Sequence, residues 1–274
     1  MNNEVLKEVF KEYSFLIKAI LLFSIIGICM VSSVIALPDG ASATKIKSGS
    51  YNVAINASNM SAIAGNVTEV NLYGISTTST WQGFYGNVSG SIQLADANDK
   101  VFYNWSLASP RGQVYVTTNS TVQWVYTQCF NYTAVGDHTS DIAQAGATSL
   151  YGTNLTQLES MFGVNSGDSD GINATFNLKG ASTHEAFSVG NLPFGAGQCM
   201  STRVYSNAGK GEDNKFEEVL LYEPQTTSII FTTLLNQDVA GFDSATHDFE
   251  TLVLENGHSG DTSSTPYYFF TELQ

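Results

Sequence analysis

The sequence predicts an all-β fold. The expected form is a β-sandwich or jelly roll of about a dozen short strands with one short helix, behind an N-terminal apolar helix. Three observations lead there. Short runs rich in Val, Ile, Thr and aromatics recur at spacings near ten residues, with Gly, Asn, Asp and Ser between them. Several of these runs alternate apolar and polar residues, the period of a half-buried strand. The long uninterrupted apolar segment lies near the N-terminus, ahead of all of them.

That segment comes first along the chain. Lys18 precedes an uncharged run from Ala19 to Leu37. It reads either as a secretory signal or as a membrane anchor, because it approaches the roughly 20 apolar residues that span a bilayer. Ala41-Ser42-Ala43 has the small residues of a processing site, and Val34-Ile35-Ala36 is a second candidate. The run is apolar on every side, unlike the striped surface of a core helix. The expected organisation is therefore residues 1–43 as signal peptide or anchor and 44–274 as one extracytoplasmic β domain.

Strand-like runs follow at 67–75, 87–94, 101–107, 113–118 and 122–132. Further runs lie at 172–178, 184–189, 201–205, 217–222, 227–235, 249–254 and 267–273. In Thr121-Val122-Gln123-Trp124-Val125-Tyr126 the apolar residues mostly fall two apart, so one face can pack inward. The stretch from Asn154 to Gly163 departs from this pattern. Leu155, Leu158 and Phe162 have helical spacing, with Asn154 as a candidate N-cap and Gly163 as a stop.

Composition narrows the function classes. Beyond residue 43, eight Lys/Arg stand against twenty-one Asp/Glu, a net charge of about −13. Such a surface disfavours nucleic acid and anionic headgroups, both of which need Lys/Arg. Charged residues make up only 13% of the chain, so hydroxyls and amides carry most of the polarity. Asn-x-Ser/Thr sequons start at Asn56, Asn59, Asn66, Asn87, Asn104, Asn119, Asn131, Asn154 and Asn173, and none has Pro in the middle. Nine acceptor patterns for N-linked sugar behind an export signal point to an extracytoplasmic glycoprotein. The cysteines beyond the leader are Cys129 and Cys199, which an oxidising compartment would join.

Motifs for chemistry are weak. Gly167-Asp168-Ser169-Asp170-Gly171 matches G-x-S-x-G, but no strand precedes Ser169, and flanking carboxylates oppose an anionic intermediate. Asp168, Asp170 and Asn173 offer oxygens at a spacing that suits calcium better, although no Glu closes the loop as in an EF-hand. Asp96, Asn98 and Asp99 read as a hairpin turn. His138, His184, His247 and His258 form no zinc pattern and read as surface or turn residues. Aromatics cluster at Trp81, Phe84 and Tyr85, at Phe102, Tyr103 and Trp105, and at 267–270. Most are expected in the core, with Trp81, Tyr85 and Trp105 as candidates for stacking on sugar rings.

Trp81-Gln-Gly-Phe-Tyr-Gly-Asn-Val-Ser-Gly90 followed by Phe102-Tyr-Asn-Trp105 resembles uncharacterised exported proteins of archaea. The stretches from Gly241-Phe-Asp243 to Asp248-Phe-Glu250 and Pro266-Tyr-Tyr-Phe-Phe270 resemble the same group. The resemblance implies a β-rich surface protein and assigns no catalytic residue. The expectation is a non-enzymatic structural or adhesive glycoprotein, secreted or on the cell surface, with no cofactor unless calcium. Its partners would be other surface proteins, copies of itself or glycans. A carbohydrate-binding module is the alternative.

Overall fold

The structure, a computed structural model, describes residues 37–50, 57–107, 110–133, 153–180, 183–255 and 264–274. The apolar leader, Asn56, His138 and His258 lie outside them. Among the described residues no helix is long and apolar enough to cross a membrane. Residues from Leu37 onward form one unit, which begins ahead of the boundary drawn at residue 43.

The chain is all-β. It runs through β1 (Asp39–Gly40), β2 (Trp81–Gly86), β3 (Gly90–Ala95), β4 (Val101–Leu107), β5 (Gly112–Thr117) and β6 (Gln128–Cys129). Helices α1 (Leu155–Met161) and α2 (Ile172–Thr175) follow. Then come β7 (Phe187–Val189), β8 (Leu192–Phe194), β9 (Ser201–Arg203), β10 (Glu217–Glu223) and β11 (Ser228–Leu234). The last strands are β12 (Val239–Ala240), β13 (Thr246–His247), β14 (Phe249–Leu254) and β15 (Tyr268–Leu273).

The main sheet is antiparallel, in the order β1-β15-β5-β11-β10-β6, with β9 also on β10. Its centre is buried on both faces, and every residue of β10 and β11 is buried. The period of two sorts their side chains into two cores. Val114, Val116, Leu220, Tyr222, Ile229 and Phe231 face one side. There the antiparallel β2–β14 pair, α1 and α2 cover them, through residues such as Leu254, Leu158, Ile172 and Phe176. Tyr115, Val219, Leu221 and Ile230 face the other side, against Trp124 and the β7–β8 hairpin. The middle of β10, Val219-Leu-Leu-Tyr222, is accordingly an unbroken apolar run, and the buried Glu217, Glu218 and Glu223 flank it.

The helix at 154–163 forms as expected. Asn154 Oδ1 accepts the Gln157 amide at 2.9 Å, and Gln157 Oε1 accepts the Asn154 amide at 3.0 Å, a capping box. Asp96 Oδ1 accepts the amides of Asn98 and Lys100, which makes the expected hairpin turn between β3 and β4.

Several runs differ from their sequence reading. Residues 67–75 pair with no strand, and Val67 and Leu72 stand 101% and 89% exposed. Between 122 and 132 the chain makes a 3-10 turn at Trp124–Tyr126 and only the two-residue β6. Val122 and Trp124 are nonetheless buried and Gln123 and Val125 exposed, so the alternation reported burial correctly and conformation wrongly. Residues 172–178 were expected as a strand and open with helix α2, where Phe176 N donates to Ile172 O at 2.8 Å. Ile172 and Phe176 are both fully buried, and a spacing of four satisfies a strand and a helix alike. Strand β2 is not among the expected runs, because Gly83 and Gly86 interrupt its aromatics, yet it pairs with β14 from Trp81↔Leu254 to Gly86↔Phe249.

Candidate functional site

The exposed surface with the most distinctive chemistry is the β3–β4 hairpin. Its register pairs Ile92 with Trp105 and Leu94 with Tyr103, and Gln93 with Asn104 and Ser91 with Ser106. Alternation therefore gives one apolar face (Ile92, Leu94, Tyr103, Trp105) and one polar face. The four apolar residues are 41% to 55% exposed. The rings of Tyr103 and Trp105 lie 4.7 Å apart at 58°. Phe102, also exposed, sits where the register shifts beside Ala95. The sequon Asn104 is on the polar face, so a sugar there would leave the apolar face open. The base of the hairpin is held close to β15, and a Cβ on Gly90 would lie 2.4 Å from Leu273 Cδ1.

The three candidate stacking residues are in different places. Trp105 is exposed on the hairpin. Trp81 packs against Phe176 and Phe231, with ring centroids 5.9 and 6.5 Å away, and its Nε1 donates to Asp170 O at 2.6 Å. It offers no free face comparable to Trp105. Tyr85 is half-buried between Phe242 and His247, at 4.9 and 4.8 Å, with Lys47 Nζ 5.7 Å above its ring.

Of the proposed calcium residues, Asp168 and Asp170 share one loop, and one oxygen of each has another partner. Asp168 Oδ2 accepts the Asn165 amide at 3.0 Å, and Asp170 Oδ2 accepts the Thr78 hydroxyl at 2.5 Å. Asn173 lies in α2. Among the described residues no group of three His, Cys, Asp or Glu is placed to hold a metal ion. A polar cleft of about 100 Å³ lies beside this loop, lined by Ser79, Thr80, Asn165, Asp168 and Glu255 among others. Ser169 sits on an exposed turn rather than at a strand end.

Two histidines expected at the surface or in turns are buried instead. His184 is 1% exposed; its Nε2 accepts the Cys199 amide at 3.1 Å, and Nδ1 lies 2.7 Å from Glu185 O. Nδ1 is therefore the protonated nitrogen of a neutral ring, and burial lowers its pKa. His247 Nε2 pairs with Asp243 Oδ1 at 2.8 Å, four residues back, rather than with its neighbour Asp248. The hydrogen bond from His247 holds the Asp243 carboxyl below its ordinary pKa. Beneath this pair lies Glu250, its pKa raised by burial. Its Oε1 accepts the Phe242 amide at 3.0 Å, and its Oε2 has no partner among the described residues. No described Ser, Thr or Cys side chain hydrogen-bonds either ring.

Sequence reasoning missed Glu218, the second residue of β10, a carboxyl with 0% exposure. Thr251 Oγ1 donates to its Oε1 at 2.6 Å and the Leu252 amide to its Oε2 at 2.9 Å. Burial raises its pKa to about 8. An acidic residue beside the apolar run 219–222 was the available signal.

The two domain cysteines come together. Cys129 of β6 and Cys199 before β9 have sulfurs at bonding distance and Cα atoms 5.1 Å apart. Of the described sequons, Asn59, Asn66, Asn87, Asn104 and Asn173 are exposed, while Asn119, Asn131 and Asn154 are partly buried. Asn119 Nδ2, the atom that would carry a sugar, donates to Ser228 Oγ at 3.1 Å. The Asn154 cap uses its oxygen, not that nitrogen. No protein-family model, no curated protein and no solved structure matches this chain.

Proposed function

We propose that this chain is an exported, N-glycosylated and non-enzymatic surface protein of archaeal type. Its structural or adhesive contacts run through the apolar face of the β3–β4 hairpin. The observation that carries this reading is the segregation of the hairpin. Ile92, Leu94, Tyr103 and Trp105 meet solvent on one side, and a sequon stands on the other. An isolated two-stranded hairpin is marginal in water, and an exposed apolar face on one gains from being covered. The acidic composition and the number of sequons agree with an envelope location.

The test is sedimentation of the protein purified from its own cells, beside Trp105→Asp and Trp81→Ala. Trp105→Asp is expected to weaken self-association at least about tenfold, the ~1.4 kcal/mol of one lost aromatic contact, at an unchanged melting temperature. Trp81→Ala is expected to lower the melting temperature instead, since it empties a packed site. Equal association of wild type and Trp105→Asp contradicts the hairpin's role. Glycopeptide mapping is expected to find sugar first at the exposed Asn59, Asn66, Asn87, Asn104 and Asn173, and least at Asn119. A protein bare of sugar at every sequon contradicts the export reading.

A second reading has its own observation. The adjacent rings of Tyr103 and Trp105 form a platform suited to a sugar ring. Retention on polysaccharide, lost in Trp105→Ala while self-association persists, would favour a carbohydrate-binding module.

A further inference from the structure

The stretch after the apolar run is a working part of the sheet. Pro38 is buried. Asp39 and Gly40 pair with Thr271 and Phe270, and the Ala41 amide donates to Phe269 O at 2.9 Å. This short β1 covers the outer edge of β15, whose other edge is taken by β5 from Tyr268↔Thr117 to Leu273↔Gly112. Without β1, the backbone of an apolar terminal strand, Tyr268-Phe-Phe270, would stand open at the end of the main sheet. Such an edge is a template for unwanted pairing with another chain.

The two small-residue motifs have different consequences for this edge. Cleavage after Ala43 would remove Pro38, Asp39, Gly40 and Ala41 from the folded protein. Cleavage after Ala36 would remove none of them.

We propose that processing falls after Val34-Ile35-Ala36 and not after Ala41-Ser42-Ala43, so the mature protein begins at Leu37 and carries its own edge strand. The inference rests on the export reading above. The reaction is hydrolysis of the Ala36–Leu37 peptide bond by a signal peptidase. Water supplies the hydroxyl of the Ala36 carboxyl and a proton of the Leu37 amine. Leu37 is 37% exposed, so the new ammonium group can remain hydrated.

The experiment is N-terminal sequencing and intact-mass measurement of the glycoprotein from native cells. A first residue of Leu37 is the expected result. A first residue of Thr44 overturns the proposal, as does an intact chain from Met1. Either of those on a glycosylated protein leaves the export reading in place, whereas an intact, sugar-free protein inside the cell overturns both. A second measurement tests the strand itself. A chain beginning at Thr44 is expected to melt at least about 3 °C below one beginning at Leu37, the scale of a ~1 kcal/mol change in a domain of this size. Coincident melting curves would show that β1 contributes nothing to the edge and would overturn the argument.

Discussion

Glu218→Gln is expected to stabilise the domain by ~4 kcal/mol at pH 8 and by almost nothing at pH 4.5. Glu218 is wholly buried, and burial holds its pKa at about 8, above the ordinary glutamate value of 4.5. Between those two values the folded protein holds a proton that the unfolded chain has released. Folded chains then bind more protons than unfolded ones, so stability falls as pH rises from 4.5 to 8 and levels off above. Both Glu218 oxygens accept in the structure, from Thr251 Oγ1 and the Leu252 amide, and burial outweighs them. On protonation the Thr251 hydroxyl turns to accept from the carboxyl hydroxyl, and Oε2 keeps the Leu252 amide. Glutamine reproduces that pattern with an amide that never ionises. Urea unfolding of wild type and variant at pH 4.5, 6 and 8 measures the difference directly. A difference independent of pH would show that Glu218 does not titrate as described. His184 acts in the opposite sense. Its lowered pKa means that stability is lost as pH falls through the unfolded value near 6.5, because a proton on Nε2 would face the Cys199 amide. Subtracting variant from wild type at each pH isolates Glu218 from that slope.

Replacing both Cys129 and Cys199 with Ala is expected to cost ~4 kcal/mol by the chain-entropy model, for a bridge closing a separation of 70 residues. That corresponds to a melting temperature lower by about 10 °C. The effect should be large here because the bridge ties β6, a two-residue edge strand, to the segment leading into β9. Both strands pair with β10, β6 through Cys129↔Leu221 and β9 through Val219↔Ser201. Removing it frees the edge of the main sheet on the side opposite β1. Thermal melts of the oxidised protein and the double variant test this. Matching melting temperatures, or two free thiols in the native protein, would contradict it.

The sequence alone determined the fold class and the elements whose signals are local. The runs 101–107 and 249–254 form strands β4 and β14 with the same bounds, and the Asn154–Gln157 capping box starts α1 as read. Cap, turn and period-two signals depend on residues a few positions apart, so they are legible without a partner. The cysteine pairing was legible for a different reason, since no other cysteine lies beyond the leader.

The tertiary structure decided what depends on distant partners. Residues 67–75 have a strand's composition and no strand beside them, whereas the glycine-broken Trp81–Gly86 becomes a strand because β14 supplies hydrogen bonds along its length. Trp81 and Trp105 are the same residue type in similar aromatic clusters. One is held against the core by Phe176 and Phe231, and the other is half exposed on a hairpin beside Tyr103. Residues 38–41 read as the end of a leader and lie instead against β15, some 230 positions away. Burial and pairing are properties of two segments at once, and one segment's sequence carries only half of that information.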